Sequence, residues 1–274
     1  MGEKSFVINI SPDSDEDRIW RGNIKPLLEG INKNINDICH YGFTEMLNNA
    51  IEHSEGTEVC IDTACSDEKL RITITDNGIG IFNNIKNKFE FEDERHAVFE
   101  LSKGKLTTDP ESHTGEGIFF TSRMFDKFVI KSSNLSFIHE NFEKDDWLVE
   151  NLEENFEGTR VSLTINPKSK RTVKAVFDKY TDDISFAKTH ILLFLAQYGD
   201  DNLVSRSQAK RVLARADKFK EILLDFSNVE MIGQGFADQI FRVFRNAHPD
   251  ITVTRSHANN DIEKMIHRVY SDRE

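Results

Sequence analysis

Residues 45–53 read EMLNNAIEH, and both the fold and the chemistry turn on how that stretch is taken. Met46, Leu47, Ala50 and Ile51 supply an apolar side at helical spacing, while Glu45, Asn49 and His53 recur every fourth residue. At about 3.6 residues per turn the second set lines up along one helix face. Asn is an indifferent helix former, and two stand together at Asn48 and Asn49. A polar stripe alone is an ordinary solvated face, so its meaning rests on what surrounds it.

Working outward, the helix is expected to run from about residue 36 to 54, with Gly56 behind it as a stop. Ahead of it, SFVINI (5–10) reads as a short strand, and an acidic start at 13–17 leads into a helix that Pro26 weakens or breaks. Behind it, EVCIDT (58–63) and LRITIT (70–75) alternate around the acidic turn SDEK, a hairpin pattern. The second strand runs directly into DNGIGI (76–81). A polar region follows, 83–112, with one helix expected near 94–101; such a length marks a functional loop or lid rather than a plain connection.

HTGEGIFFTSRMF (113–125) reads as a glycine-rich turn opening an apolar helix. Four β-patterned runs come next, at 127–131, 136–141, 146–150 and 159–165. The expectation is an α+β domain over residues 1–168, an α/β sandwich with a mixed, mostly antiparallel sheet and helices on one face. The basic, proline-bearing PKSKR (167–171) marks the boundary.

Beyond it, 191–196 is apolar enough for strand or helix, and Ser205 is placed to cap a helix at 206–216. A buried-strand run (221–226), an amphipathic helix (235–246), a short strand (251–253) and a last helix (261–269) complete a smaller α/β domain over 169–274. Phe236, Phe241 and Phe244 are expected in its core, and Arg206, Lys210, Arg211 and Arg215 form a basic helix face. That face reads as solvated, or as docking to an acidic surface.

The composition narrows the function. The chain of 274 residues is 38% hydrophobic and has no apolar run long enough to cross a membrane. Its start lacks the pattern of a secretory signal, and its three cysteines, an odd number without metal spacing, suit a reducing cytoplasmic setting. The net charge of -12 argues against a nucleic-acid binder, which needs clustered Lys and Arg. From residue 168 onward, 18 Lys/Arg face 15 Asp/Glu, a net +3 that leaves -15 on the first part.

Three polar features then fall in order: Glu45/Asn49/His53, Asp76-Asn77-Gly78-Ile79-Gly80, and Gly115-Glu116-Gly117 at the head of a helix. Nucleotide chemistry needs such parts. A hard divalent cation takes an oxygen ligand of the kind Asn49 offers, with phosphates and water completing its shell. A carboxylate one turn earlier, Glu45, can orient or deprotonate a water. Asp76 can accept from an exocyclic amine, Gly78 and Gly80 let backbone approach a flat ring, and the N–H groups of Gly115 to Ile118 can hold phosphates. No G-x-x-x-x-G-K-[ST] stretch occurs, so a P-loop is excluded.

On these boxes, over about residues 5–165, the chain resembles the GHKL (Bergerat-fold) ATPases, the class of gyrase, the heat-shock chaperone and histidine kinases. The resemblance implies ATP and Mg²⁺ as cofactors, with Glu45 as the catalytic residue. It implies Asn49 as the metal ligand and Asp76 as the adenine anchor. Gly78, Gly80, Gly115, Gly117, Ile118 and Thr159 would line the nucleotide, and residues 83–114 would be the ATP lid. His53 is taken as structural, and Lys103 and Lys105 as solvated lid residues.

ILLDFSNVEMIGQGFADQIFRVF (222–244) resembles a STAS-like domain, which implies a protein partner. In anti-sigma-factor antagonists the aligned turn carries a phosphorylatable Ser; here it reads Ile232-Gly233-Gln234-Gly235. The expected whole is a bacterial signalling protein that binds ATP·Mg²⁺ and hydrolyses it slowly, its lid coupled to the STAS-like domain. An anti-sigma-type serine/threonine kinase and a nucleotide sensor without turnover are the alternatives, and homo-oligomerisation is compatible with all three. A histidine kinase is disfavoured, since about 35 residues precede the Asn-box helix and hold no acceptor helix pair.

Overall fold

A computed structural model describes residues 2–11, 14–107, 115–141, 147–150, 156–182, 185–197 and 202–271. The chain divides into two compact units, one formed by Met1–Leu101 and Leu106–Lys179, the other by Ser102–Lys105 and Tyr180–Glu274.

In the first unit β1 (Glu3–Asn9) is followed by a broken helical stretch: α1 (Glu16–Ile19), a π-helical turn (Trp20–Ile24) and a 3₁₀ turn (Lys25–Leu28). Pro26 sits inside the last of these, where its missing N–H ends the helix. Then come α2 (Lys33–His53), β2 (Glu58–Cys65), β3 (Leu70–Asp76), α3 (Ile81–Phe89), α4 (Glu94–Lys103) and α5 (Gly117–Met124). β4 (Lys127–Ser133), β5 (Leu135–Glu140), β6 (Trp147–Glu150), β7 (Phe156–Ile165) and α6 (Val173–Tyr180) complete it.

The seven strands lie in the order β1-β2-β3-β7-β4-β5-β6, and every pairing is antiparallel. Register puts Ile61, Ile74, Val161, Ile130 and Phe137 in one row across β2, β3, β7, β4 and β5. All five are buried. The next row along, Asp62, Thr73 and Ser162, points to the other face, where Thr73 and Ser162 share a hydroxyl hydrogen bond of 3.2 Å. This period-two split gives the sheet one apolar face. The apolar side of α2 (Ile35, Ile38, Phe43, Met46, Leu47) and Phe119, Phe120 and Met124 of α5 supply the matching core. At Gly42 of α2 a Cβ would overlap the ring of Phe125, the residue that follows α5.

α3 was not expected. All but its first two residues fall in the polar run 83–112, yet Asn84 and Ile85 are buried, as is Phe82 just ahead of that run, while most of the polar remainder faces out. Of the expected lid, 108–114 lies outside the described residues, and with it His113.

The second unit holds a short hairpin of β8 (Thr181–Asp182) and β9 (Ser185–Phe186) and a parallel sheet β10-β11-β12 (Lys188–Leu192, Glu221–Asp225, Thr252–Ser256). The apolar run at 191–196 proves to be both things: the end of β10, then a 3₁₀ turn Leu193–Ala196. α7 (Arg206–Val212) begins on a capping box of Ser205 and Gln208. α8 (Gln234–Asp238) passes through a π-helical stretch (Gln239–Phe244) into α9 (Arg245–Ala247), and α10 (Asn260–Ser271) closes the unit. Phe236, Phe241 and Phe244 are buried with Ile222, Leu224 and Ile266.

The four residues 102–105 are built into this unit. Lys103, 1% exposed, donates from Nζ to the carbonyl of Ala214 at 3.2 Å, and its own carbonyl accepts from Thr189 Oγ1 at 2.7 Å. Arg215 donates to the Gly104 carbonyl at 3.0 Å. Lys105 donates to the Lys218 carbonyl at 2.8 Å and lies over the Phe219 ring. The basic face read from the sequence is therefore partly engaged: Arg215 holds Gly104, Arg211 donates to the Ala196 carbonyl, and Arg206 pairs with Asp238. Lys103 and Lys105, expected to be solvated, are packed instead.

Candidate functional site

The three polar boxes converge on a cavity of about 280 Å³ in the first unit. Glu45, Asn49 and His53 of α2 form one wall, Asp76 at the end of β3 and Thr159 of β7 the floor, and Gly115 to Ile118 the rim. Met46, Ala50, Ile74, Ile85 and Val161 make the rest of the lining mostly apolar, as suits a flat heterocycle.

Asp76 is 6% exposed. Its Oδ1 accepts from the backbone N–H of Gly78 (2.9 Å) and of Thr159 (3.1 Å). Burial raises its pKa above the usual carboxylate value, and those hydrogen bonds offset only part of that effect. Thr159 is held in turn, its Oγ1 accepting from the Ile81 N–H at 2.9 Å. So β3, β7 and the start of α3 lock the carboxylate at the cavity floor.

The glycines of DNGIG have reasons within the protein. A Cβ on Gly78 would overlap the Ser54 carbonyl, so only Gly lets this turn pack against the end of α2. Gly80 has φ +82 at the N-cap of α3, a conformation that side chains disfavour. Neither is among the residues that line the cavity. Asn77 ties the neighbouring loop, its Oδ1 accepting from the Thr57 and Glu58 N–H groups at 2.9 and 3.0 Å.

At the rim, a Cβ on Gly117 would overlap the Glu45 carboxylate. The carboxylate therefore stands against the first turn of α5, whose leading N–H groups have no intrahelical acceptor. Tyr41 reports the same cluster: burial, then the charges of Glu45 and Glu116, push its pKa up. Gly115, φ +71, packs on the Leu106 backbone.

Sequence reasoning missed several contributors. Asn84 of α3 lines the cavity, and its Nδ2 donates to the His53 carbonyl at 2.6 Å. Leu101, Leu106 and Thr107 line it from the far side. Nothing local in NNIKN or LSKGKLT marks these residues; only the path of the chain brings them in.

The chemistry of the donor set suits a nucleotide with a divalent ion. Among the described residues no group of three or more His, Cys, Asp and Glu side chains could hold a metal. An ion beside Asn49 would draw most of its ligands from phosphate and water, the arrangement Mg²⁺ favours.

Two stretches of the chain match known family models. A family model described as a histidine kinase-like ATPase domain matches residues 23–136. A second, described as a STAS-like domain of unknown function, matches residues 208–263. No curated protein matches the chain. Residues 23–136 are thus similar to histidine kinase-like ATPase domains and residues 208–263 to a STAS-like domain, in the order expected from the sequence.

Proposed function

We propose that the protein is an ATP·Mg²⁺-binding regulatory ATPase whose lid passes the nucleotide state to the STAS-like unit. The observation that carries this reading is the meeting of Glu45, Asn49, Asp76, Thr159 and Gly115 to Ile118 around one cavity. In it, Asp76 accepts from the adenine amine, and the α5 N-terminus holds phosphate oxygens. Asn49 offers its amide oxygen to Mg²⁺, which neutralises phosphate charge when bound. Glu45 orients a water for in-line attack on the terminal phosphorus and takes its proton. The coupling rests on chain continuity. Leu101 and Leu106 line the cavity, and the four residues joining them, 102–105, are built into the second unit.

Titration calorimetry and phosphate release on the full chain test the roles. Asn49→Ala should weaken ATP·Mg²⁺ binding by about tenfold or more, the loss of one charge-assisted ligand. Glu45→Ala should keep binding and lose turnover. Wild-type protein that binds no adenine nucleotide with Mg²⁺ defeats the reading; binding without turnover in wild type leaves a nucleotide sensor.

The turn 232–235, which lacks the hydroxyl of the antagonists, is closely packed at one position. A Cβ on Gly233 would stand 2.7 Å from the Val204 backbone, and the Gly233 N–H donates to the Leu203 carbonyl at 2.9 Å. Gly233 is thus packed against the chain entering α7 and has no room for a side chain, while Gln234 beside it is exposed.

A further inference from the structure

The cavity of the first unit holds a second acceptor besides Asp76, one that the three polar boxes do not contain. Asn84 of α3 is 5% exposed and lines the cavity. Its Nδ2 donates to the His53 carbonyl at 2.6 Å. A carbonyl oxygen takes only a donor, so this bond also fixes which way the amide is turned. The nitrogen stands at His53, and the oxygen is the atom left over. Among the described residues nothing donates to that Oδ1, yet it is not sealed in the interior; it is open to the cavity. A side-chain oxygen in so buried a residue normally has a donor, so this one calls for a partner from outside the chain.

Its place along the cavity decides what that partner is. Glu45 stands against Gly117 at one end, and His53 lies two turns further along α2, about 12 Å at 1.5 Å per residue. Asn84 is fastened at the His53 end, away from the N-terminus of α5. Asp76 is at that end too, joined to Asn84 by a short relay. Its Oδ1 accepts from the Thr159 N–H, and Thr159 Oγ1 accepts from the Ile81 N–H. Asn84 follows Ile81 by one turn of α3, on the same side of the helix, and both line the cavity.

We propose that Asn84 is a specificity-determining residue whose Oδ1 accepts one hydrogen of the exocyclic amine of a bound adenine nucleotide while Asp76 accepts the other. The inference rests on the reading of this cavity as an ATP site. An adenine ring carried on ribose has a single N–H donor group, the amine, and that group bears two hydrogens. Asp76 uses one, so a second acceptor at the same end has only the other to take. Guanine puts a carbonyl oxygen at that position, and its lone pairs would face two acceptors at once. The pair therefore selects adenine by repulsion of the wrong base as well as by attraction of the right one. An amide suits the second place better than a carboxylate would. It accepts without adding a like charge beside Asp76, and its nitrogen locks it to the end of α2.

Calorimetry on the full chain tests this with ATP and with the triphosphate of purine riboside, which lacks the amine and is otherwise alike in shape. Wild type should prefer ATP by about a hundredfold, the worth of two hydrogen bonds, and Asn84→Ala by about tenfold. A residue that only holds α3 against the end of α2 would, on removal, weaken both ligands equally. An unchanged ratio in Asn84→Ala thus overturns the inference while the nucleotide site stands. A preference for ATP over 2′-deoxy-ATP that vanishes in Asn84→Ala gives Oδ1 to the ribose instead and also overturns it.

If circular dichroism shows that Asn84→Ala does not fold, wild type decides, bound to ATP carrying ¹⁵N at the amine. Two separate amino protons, both shifted downfield and both slow to exchange with water, support the paired acceptors. One proton exchanging as fast as in free ATP overturns them. Wild type that binds neither triphosphate defeats the nucleotide reading and this inference with it.

Discussion

Asp76 shows how a single residue carries opposing demands. Two backbone N–H groups hold its carboxylate at the cavity floor, yet burial raises its pKa. An acid whose folded pKa lies above the unfolded one is penalised when ionised. Stability should therefore rise as pH falls from neutral through that folded value. Asp76→Asn removes the penalty and keeps an oxygen for the two N–H groups, but it turns a donor toward the adenine amine. The expected outcome is a melting temperature at or above wild type at pH 7, with adenine-nucleotide binding reduced at least tenfold. Lower stability together with retained binding would show that the carboxylate serves the fold rather than the ligand. The identity of Asp76 was legible in DNGIG; its burial was not, since that depends on β7 supplying Thr159.

At the scale of elements, period and capping made most of the structure readable. α2 and the β2–β3 hairpin follow their apolar spacing, and the strands of the first sheet fall where alternation places them. α3 escaped because its polar residues outnumber its apolar ones, and its burial of Phe82 and Ile85 needs the sheet beside it. The helix expected at 206–216 stops at Val212, and Arg215 takes up a left-handed conformation, φ 60. That break frees the Ala214 carbonyl for Lys103 and aims Arg215 at Gly104, a demand set by residues over a hundred positions away. The start of α7 is purely local. Ser205 Oγ accepts from the Gln208 N–H at 3.1 Å, and the Gln208 side chain accepts from the Ser205 N–H at 2.8 Å. Ser205→Ala should cost about 1 kcal/mol, seen as a lower denaturant midpoint with an unchanged slope. A shift several times larger would mean that Ser205 does more than cap.

Across the whole molecule, the consequence lies in the segment 102–105. It belongs to the second unit, while the residues on either side of it in the chain line the cavity of the first. On the proposed reading, ligand that stabilises those flanks would bias the segment, and linkage would make the effect reciprocal. Amide hydrogen exchange measures this. Adding ATP·Mg²⁺ should slow exchange in 101–107 and in the partners of that segment around 211–219, and Asn49→Ala should abolish the change. Slowing confined to the cavity, with 211–219 unaltered, would sever the proposed coupling. No helix among the described residues is long and apolar enough to cross a membrane.

The residue pattern settled the α+β first domain, the smaller α/β second one, and the order of the polar boxes. Each of these depends on spacing within a short stretch, and helix and strand periods are local properties. Folding decided which of those residues share a cavity, why Gly78 and Gly117 have no side chain, and where Leu106 and Asn84 belong. It also brought His190 and Asp225, from two strands of a parallel sheet, together with His257, which follows the third. Parallel neighbours are never adjacent in sequence, so no local period could announce that meeting.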